Sequence, residues 1–180
     1  MFGPVHHIGV TVADMDRAVA FWTRLLGATL RDRDVLRGPQ LGTMVGYPGI
    51  HIERCWIDLP GGVALELLRY LGRDEPAYDP GTAHPGNVHV CLRVDDMDAA
   101  HAHAVACGAT PVSDRPIDVA AGPRAGTRLA YLRDPDGVTI ELVQEPVSGV
   151  VGPSHRPRRR AAEAPAGGPS GPDERRQWTQ

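Results

Sequence analysis

The chain contains no lysine, and its 19 basic side chains are all arginine. Schiff-base chemistry and catalysis by an activated lysine amine are therefore excluded. Aromatic residues make up only 5% of the sequence and the formal charge is -3, so there is neither a set of base-stacking platforms nor a global basic field, and no nucleic-acid partner is expected. Three cysteines, Cys55, Cys91 and Cys107, are odd in number and show no CxxC spacing. That argues against a disulfide framework or a thiolate zinc site and for reduced, mostly buried thiols. No apolar run approaches the roughly 18 to 20 residues of a membrane span, and the N-terminus has no basic segment leading into an apolar one. The expectation is a cytoplasmic protein with no membrane partner.

What is present is a repetition. His7-Ile-Gly-Val-Thr-Val-Ala-Asp-Met-Asp16 returns as His89-Val-Cys-Leu-Arg-Val-Asp-Asp-Met-Asp98, and Pro60-Gly-Gly-Val-Ala-Leu-Glu66-Leu returns as Pro135-Asp-Gly-Val-Thr-Ile-Glu141-Leu. Each copy opens with a histidine and closes with a glutamate. Packing two copies about a pseudo-twofold axis would collect His7, Glu66, His89 and Glu141, and two imidazoles with two carboxylates suit a divalent metal ion.

The 180 residues, 42% of them apolar, suffice for one domain or for two small modules sharing a core. In residues 5–12 Ile8, Val10 and Val12 alternate with His7, Gly9 and Thr11, which reads as a strand. Asp14 or Asp16 then caps a helix whose apolar positions are Val19, Phe21, Trp22, Leu25 and Leu26, and Gly27 ends it. Strands follow at 29–34, within 51–59 and at 63–70. The second unit repeats the order, with strands at 87–94 and 137–144 and a helix over 98–107. Its middle, 111–128, is too rich in Pro and Gly to place strands. The expected organisation is a first βαβββ module at 1–71, a linker at 72–86, a second βαβββ module at 87–146 and a disordered Pro/Gly/Arg-rich tail at 147–180, because that tail has too little apolar surface to offset its ordering entropy. The fold class is α+β: two tandem βαβββ modules forming a curved mixed sheet with a metal-containing cleft.

Period-2 parity sends all four candidate ligands to the same kind of face. His7 opposes Ile8 and Val10, His89 opposes Val88 and Val90, Glu66 opposes Leu65 and Leu67, and Glu141 opposes Ile140 and Leu142. They leave the helix-packed side. His51, Glu53, Trp56 and Arg93 lie on strands that can line the cleft and are candidate substrate contacts, with a Glu53 or Arg93 ion pair as the alternative. Trp22 and Trp56 are candidates for either an interface or the core.

On these stretches, together with Asp134-Pro-Asp-Gly137, the chain resembles the vicinal oxygen chelate superfamily over residues 5–146, closest in pattern to glyoxalase I and methylmalonyl-CoA epimerase-like members. The resemblance implies a cleft formed by two βαβββ modules in which His7, Glu66, His89 and Glu141 bind a divalent ion, whether Ni, Co, Zn, Mn or Fe. It implies a glyoxalase-like isomerase, epimerase or lyase: a substrate with vicinal oxygens or an activated carbonyl, an enediolate or enolate, and a glutamate that moves the proton. Glu141 is the candidate base and Glu66 the alternative. Glu66 departs from the epimerase pattern, where glutamine is usual. Two further chemistries belong to the same superfamily, Fe(II)-dependent ring-cleaving or other dioxygenation and small-molecule binding in antibiotic resistance. Members often dimerise, and clefts form within a chain or between chains.

Overall fold

The computed structural model describes residues 2–73 and 79–146. The expected tail after residue 146, with its arginine cluster, and residues 74–78 of the expected linker lie outside the described residues.

The first module runs β1 (His7–Thr11), α1 (Met15–Leu26), β2 (Leu30–Leu36), α2 (Pro39–Val45), β3 (His51–Asp58) and β4 (Ala64–Leu71). The second runs β5 (His89–Arg93), α3 (Met97–Cys107), β6 (Thr110–Pro111), β7 (Ile117–Asp118), β8 (Arg128–Arg133) and β9 (Thr139–Gln144). Helix α1 begins where the Asp14 carboxylate accepts the Arg17 amide at 2.9 Å and stops at Gly27, whose φ of 62° lies in the left-handed region. Asp96 caps α3 in the same way through the Ala99 amide, 3.0 Å away.

Each module forms its own mixed sheet. The strand orders are β1-β4-β3-β2 and β5-β9-β8-β6, with β7 also paired to β8. In each, the opening strand lies parallel to the closing one: Gly9 is in register with Glu66 and Cys91 with Glu141. The repeat in sequence is thus a repeat in register.

Alternation then sorts the faces. Val10, Cys55, Ile57, Leu65 and Leu67 of the first sheet and Val90, Leu132, Ile140 and Leu142 of the second enter one buried cluster with Met15, Phe21 and Trp22 of α1 and Met97 and Ala104 of α3. Helices α1 and α3 touch each other inside it. The Arg17 guanidinium donates to Asp136 at 2.6 Å, which adds a polar tie between the modules. Burying a side chain such as the fully covered Trp22 is worth several kcal/mol, so this shared core fixes how the modules sit.

Helix α2 was not foreseen between β2 and β3. Leu41 of α2, Ile50 and Ile52 form a second buried cluster against Leu68 and Tyr70, on the face of the first sheet opposite α1. Among the described residues no helix is long and apolar enough to cross a membrane.

Candidate metal centre

His7 opens β1 and Glu66 sits near the middle of β4, two residues apart in register, so their side chains meet above the sheet face that α1 does not cover. His7 Nε2 lies 3.2 Å from Glu66 Oε2. In the second module His89 Nε2 lies 2.9 Å from Glu141 Oε2. Both glutamates are only 13% exposed, whereas His7 and His89 are 37% and 42% exposed. Each module therefore presents one imidazole and one carboxylate, side by side, at an open surface.

The two halves are built alike but furnished differently. Trp56 is in register with Glu66, and its ring lies 5.2 Å from that of His7; Tyr131 is in register with Glu141, and its ring lies 5.5 Å from that of His89. On the first half, Arg54 Nη1 approaches Glu66 at 3.9 Å while two of its other nitrogens bind Asp34 at 3.0 and 2.6 Å. His6 Nδ1 lies 2.8 Å from His7 Nδ1. With the shared proton on His7 Nδ1, its Nε2 keeps the lone pair free for a ligand. On the second half, desolvation and the neighbouring Glu141 carboxylate push the Cys91 thiol up to about 11, so Cys91 stands there as a neutral thiol and not as a thiolate.

The four residues meet two and two. Among the described residues no three His, Cys, Asp or Glu side chains converge on a position able to hold one ion. The parity reading of each strand holds, but the single intrachain cleft expected from it does not form. The physical reason is the shared core: the helix-packed faces of both sheets are buried in it, and the ligands lie on the opposite face of each sheet.

The remaining candidates divide by face. Trp56 lies on the ligand face, in register with Glu66. Glu53 points the other way, where Arg33 donates to it at 2.9 and 2.5 Å and Arg69 lies at 3.7 Å; Arg33 also binds Asp16 of α1. It belongs to an ion network and is not placed with the ligands. His51, two residues earlier, shares its side of the strand and is not placed with them either. Arg93 stands on the His89 side of β5 but is paired with Glu145 at 2.6 Å, about 13 Å along the strand from His89 at ~3.3 Å per residue.

Sequence reading missed Arg54, Tyr131, His6, Arg31, Asp32 and Asp58. The first two were accessible to parity, since Arg54 is two residues from Trp56 and Tyr131 lies between buried Ala130 and Leu132.

Residues 6–131 match the family model of the Glyoxalase/Bleomycin resistance protein/Dioxygenase superfamily. The chain belongs to this superfamily. It is 32% identical over 145 residues to the 2-epi-5-epi-valiolone epimerase of an Actinomyces species, covering 79% of each chain. It is 31% identical, also over 145 residues, to a probable lactoylglutathione lyase of Vibrio parahaemolyticus, covering 79% of this chain and 91% of that one. A crystal structure of a glyoxalase family protein from Bacillus cereus superposes with a TM-score of 0.70 at 23% identity, over 82% of this chain and 97% of the other. The superfamily's fold is therefore the fold of this chain, and its curated relatives include epimerase and lyase enzymes.

Proposed function

We propose that the chain is a divalent-metal-dependent isomerase or epimerase that moves a proton at the carbon next to a substrate carbonyl. The ion is held by His7 and Glu66 of one protomer together with the second half-site, His89 and Glu141, of another copy of the chain. The observation that carries this reading is the duplicated pair, His7–Glu66 at 3.2 Å and His89–Glu141 at 2.9 Å. Two donors bound at right angles about 2.1 Å from one ion stand about 3.0 Å apart, so each pair is spaced as neighbouring ligands are. Two carboxylates would also balance the charge of a divalent ion.

When bound, such an ion supplies Lewis-acid polarisation of a carbonyl oxygen. The protein supplies the rest. Glu141 takes the proton from one face of the adjacent carbon; isomerisation returns it to the neighbouring atom on that same face, whereas epimerisation draws a proton from Glu66 on the opposite face while Glu141 keeps the one it took, so no net proton is consumed. Glu66 has His7 Nε2 at 3.2 Å and Arg54 Nη1 at 3.9 Å beside it. The two aromatic rings, Trp56 and Tyr131, flank the half-sites.

Protein purified without chelator is expected to carry one divalent ion per pair of half-sites and to incorporate deuterium from D2O into 2-epi-5-epi-valiolone or S-lactoylglutathione. Oxygen consumption with iron, or metal-free protein that exchanges no proton, would contradict the proposal.

A further inference from the structure

A cleft of about 570 Å³ opens beside the first half-site, lined by His6, Arg31, Asp32, Trp56, Asp58 and Ala64 among others. Three of its lining residues adjoin His7. Ala64 is the register partner of His7, His6 is its chain neighbour, and Trp56 is in ring contact with it. For a molecule held at His7 Nε2, this cleft is the neighbouring space.

A backbone irregularity builds the wall. Leu30 is in register with Ile57 and Asp32 with Trp56, so Arg31 is an extra residue in β2 that has no partner in β3. Such a bulge re-aims a side chain. Without it, alternation would send Arg31 to the face opposite Asp32; with it, Arg31 and Asp32 both line the cleft. The Arg31 guanidinium lies 5.4 Å from the Trp56 ring centre and 3.0 Å from Asp58.

The charges are arranged against an anionic guest. Arg31 is neutralised by Asp58, Arg54 is neutralised by Asp34, and Asp32 adds a further carboxylate. A carboxylate or phosphate tail entering here would meet two acids and an already paired guanidinium. A neutral guest rich in hydroxyls meets what it needs: carboxylates that accept, a guanidinium that donates, and an indole on which a C–H face packs. The opposite direction along the sheet is closed, because α2 seats Leu41 on Ile52, Leu68 and Tyr70. A long conjugate would have to pass over that helix.

We propose that this cleft is the specificity subsite of the reaction and that it takes the neutral, polyhydroxylated part of a cyclic carbonyl substrate. The inference rests on the proton-transfer reading above. It makes Arg31, placed by the bulge, and Trp56 the residues that select for that substrate class.

The test compares 2-epi-5-epi-valiolone, a polyhydroxylated cyclic ketone, with S-lactoylglutathione, which carries anionic carboxylates, on the metal-loaded full chain. Binding is read from tryptophan emission and turnover from deuterium exchange. The ketone is expected to give a saturable emission change that Trp56→Phe abolishes, and Arg31→Ala is expected to raise its KM at least tenfold while kcat stays within about threefold. A higher kcat/KM for S-lactoylglutathione, or an unchanged ketone KM in Arg31→Ala, overturns the subsite while leaving proton transfer standing. A saturable, Trp56-dependent emission change without exchange of any proton supports the subsite and overturns the proton-transfer reading. Absence of both an emission change and proton exchange with the ketone overturns the subsite.

Discussion

Glu66 and Glu141 occupy equivalent places in the two modules, each beside its histidine at 3.2 and 2.9 Å, yet Glu66 also has Arg54 at 3.9 Å whereas Glu141 has the neutral Cys91 thiol beside it. Under the proposed function Glu141, without a guanidinium drawing on its charge among the described residues, is the one that takes the proton. Glu141→Gln is therefore expected to lower proton exchange by about 10² to 10⁴, the range for loss of a general base, and by more than Glu66→Gln does, with metal content measured in both so that loss of the ion is separated from loss of the base. Away from the site, Asp134 is buried and accepts the amides of Asp136 at 2.9 Å and Val138 at 2.8 Å in the turn before β9. Burial pushes its carboxyl above the ordinary carboxylate range despite those two bonds. Above that ordinary range the native state holds more protons at this group than the unfolded state, so its contribution to stability falls as pH rises through the raised value. Asp134→Asn keeps a carbonyl for both amides and removes the charge. Urea midpoints compared between about pH 4 and about pH 7 should show a flatter pH dependence in the variant than in the parent.

At the scale of elements, α2 shows where local propensity and packing disagree. In an exposed helix interior, Gly→Ala is worth up to about 1 kcal/mol of stabilisation. At Gly42 an added Cβ would lie 2.8 Å from the Tyr47 carbonyl oxygen and 3.0 Å from Pro48 Cα, both backbone atoms that cannot rotate aside. Gly42→Ala is accordingly expected to destabilise the protein by roughly 1–3 kcal/mol in chemical denaturation, the cost of overpacking. The close turn also explains why α2 was hard to read: its apolar contacts come from Leu41 and from residues on β3 and β4, not from a helical stripe, and only Pro39 at its start and Gly46 at its end marked it. The other elements were legible where alternation and caps were strong, as in β1, β4, α1 and β9, whose ends fell within one or two residues of expectation. The two-residue strands β6 and β7 were not, because they are defined only by pairing with β8 and have no side-chain pattern of their own. The bulge at Arg31 was invisible for the same reason, since it exists only relative to β3.

For the whole molecule, alternation tells which face of a sheet a residue occupies, but the relation between the two sheets is set by the core that α1 and α3 share. The His–Glu pairs were legible in the repeat, and their separation was not, because it depends on that long-range packing. Under the proposed function, the two half-sites of a chain would complete four-ligand centres by closed twofold association, in which the first half-site of each copy meets the second half-site of the other. Complementation tests this arrangement directly. His7→Ala and His89→Ala are each expected to be inactive alone, since every centre then lacks one imidazole. In a mixed dimer, one centre inherits both lesions and the other inherits none. If subunits exchange at random in an equal mixture, about half of the dimers are mixed and half of their centres are intact, so proton exchange should return to roughly a quarter of the parent value. Sedimentation of the mixture gives the dimer fraction against which that recovery is scaled. A centre assembled within one chain would give no recovery at any mixing ratio, because neither variant chain carries all four ligands.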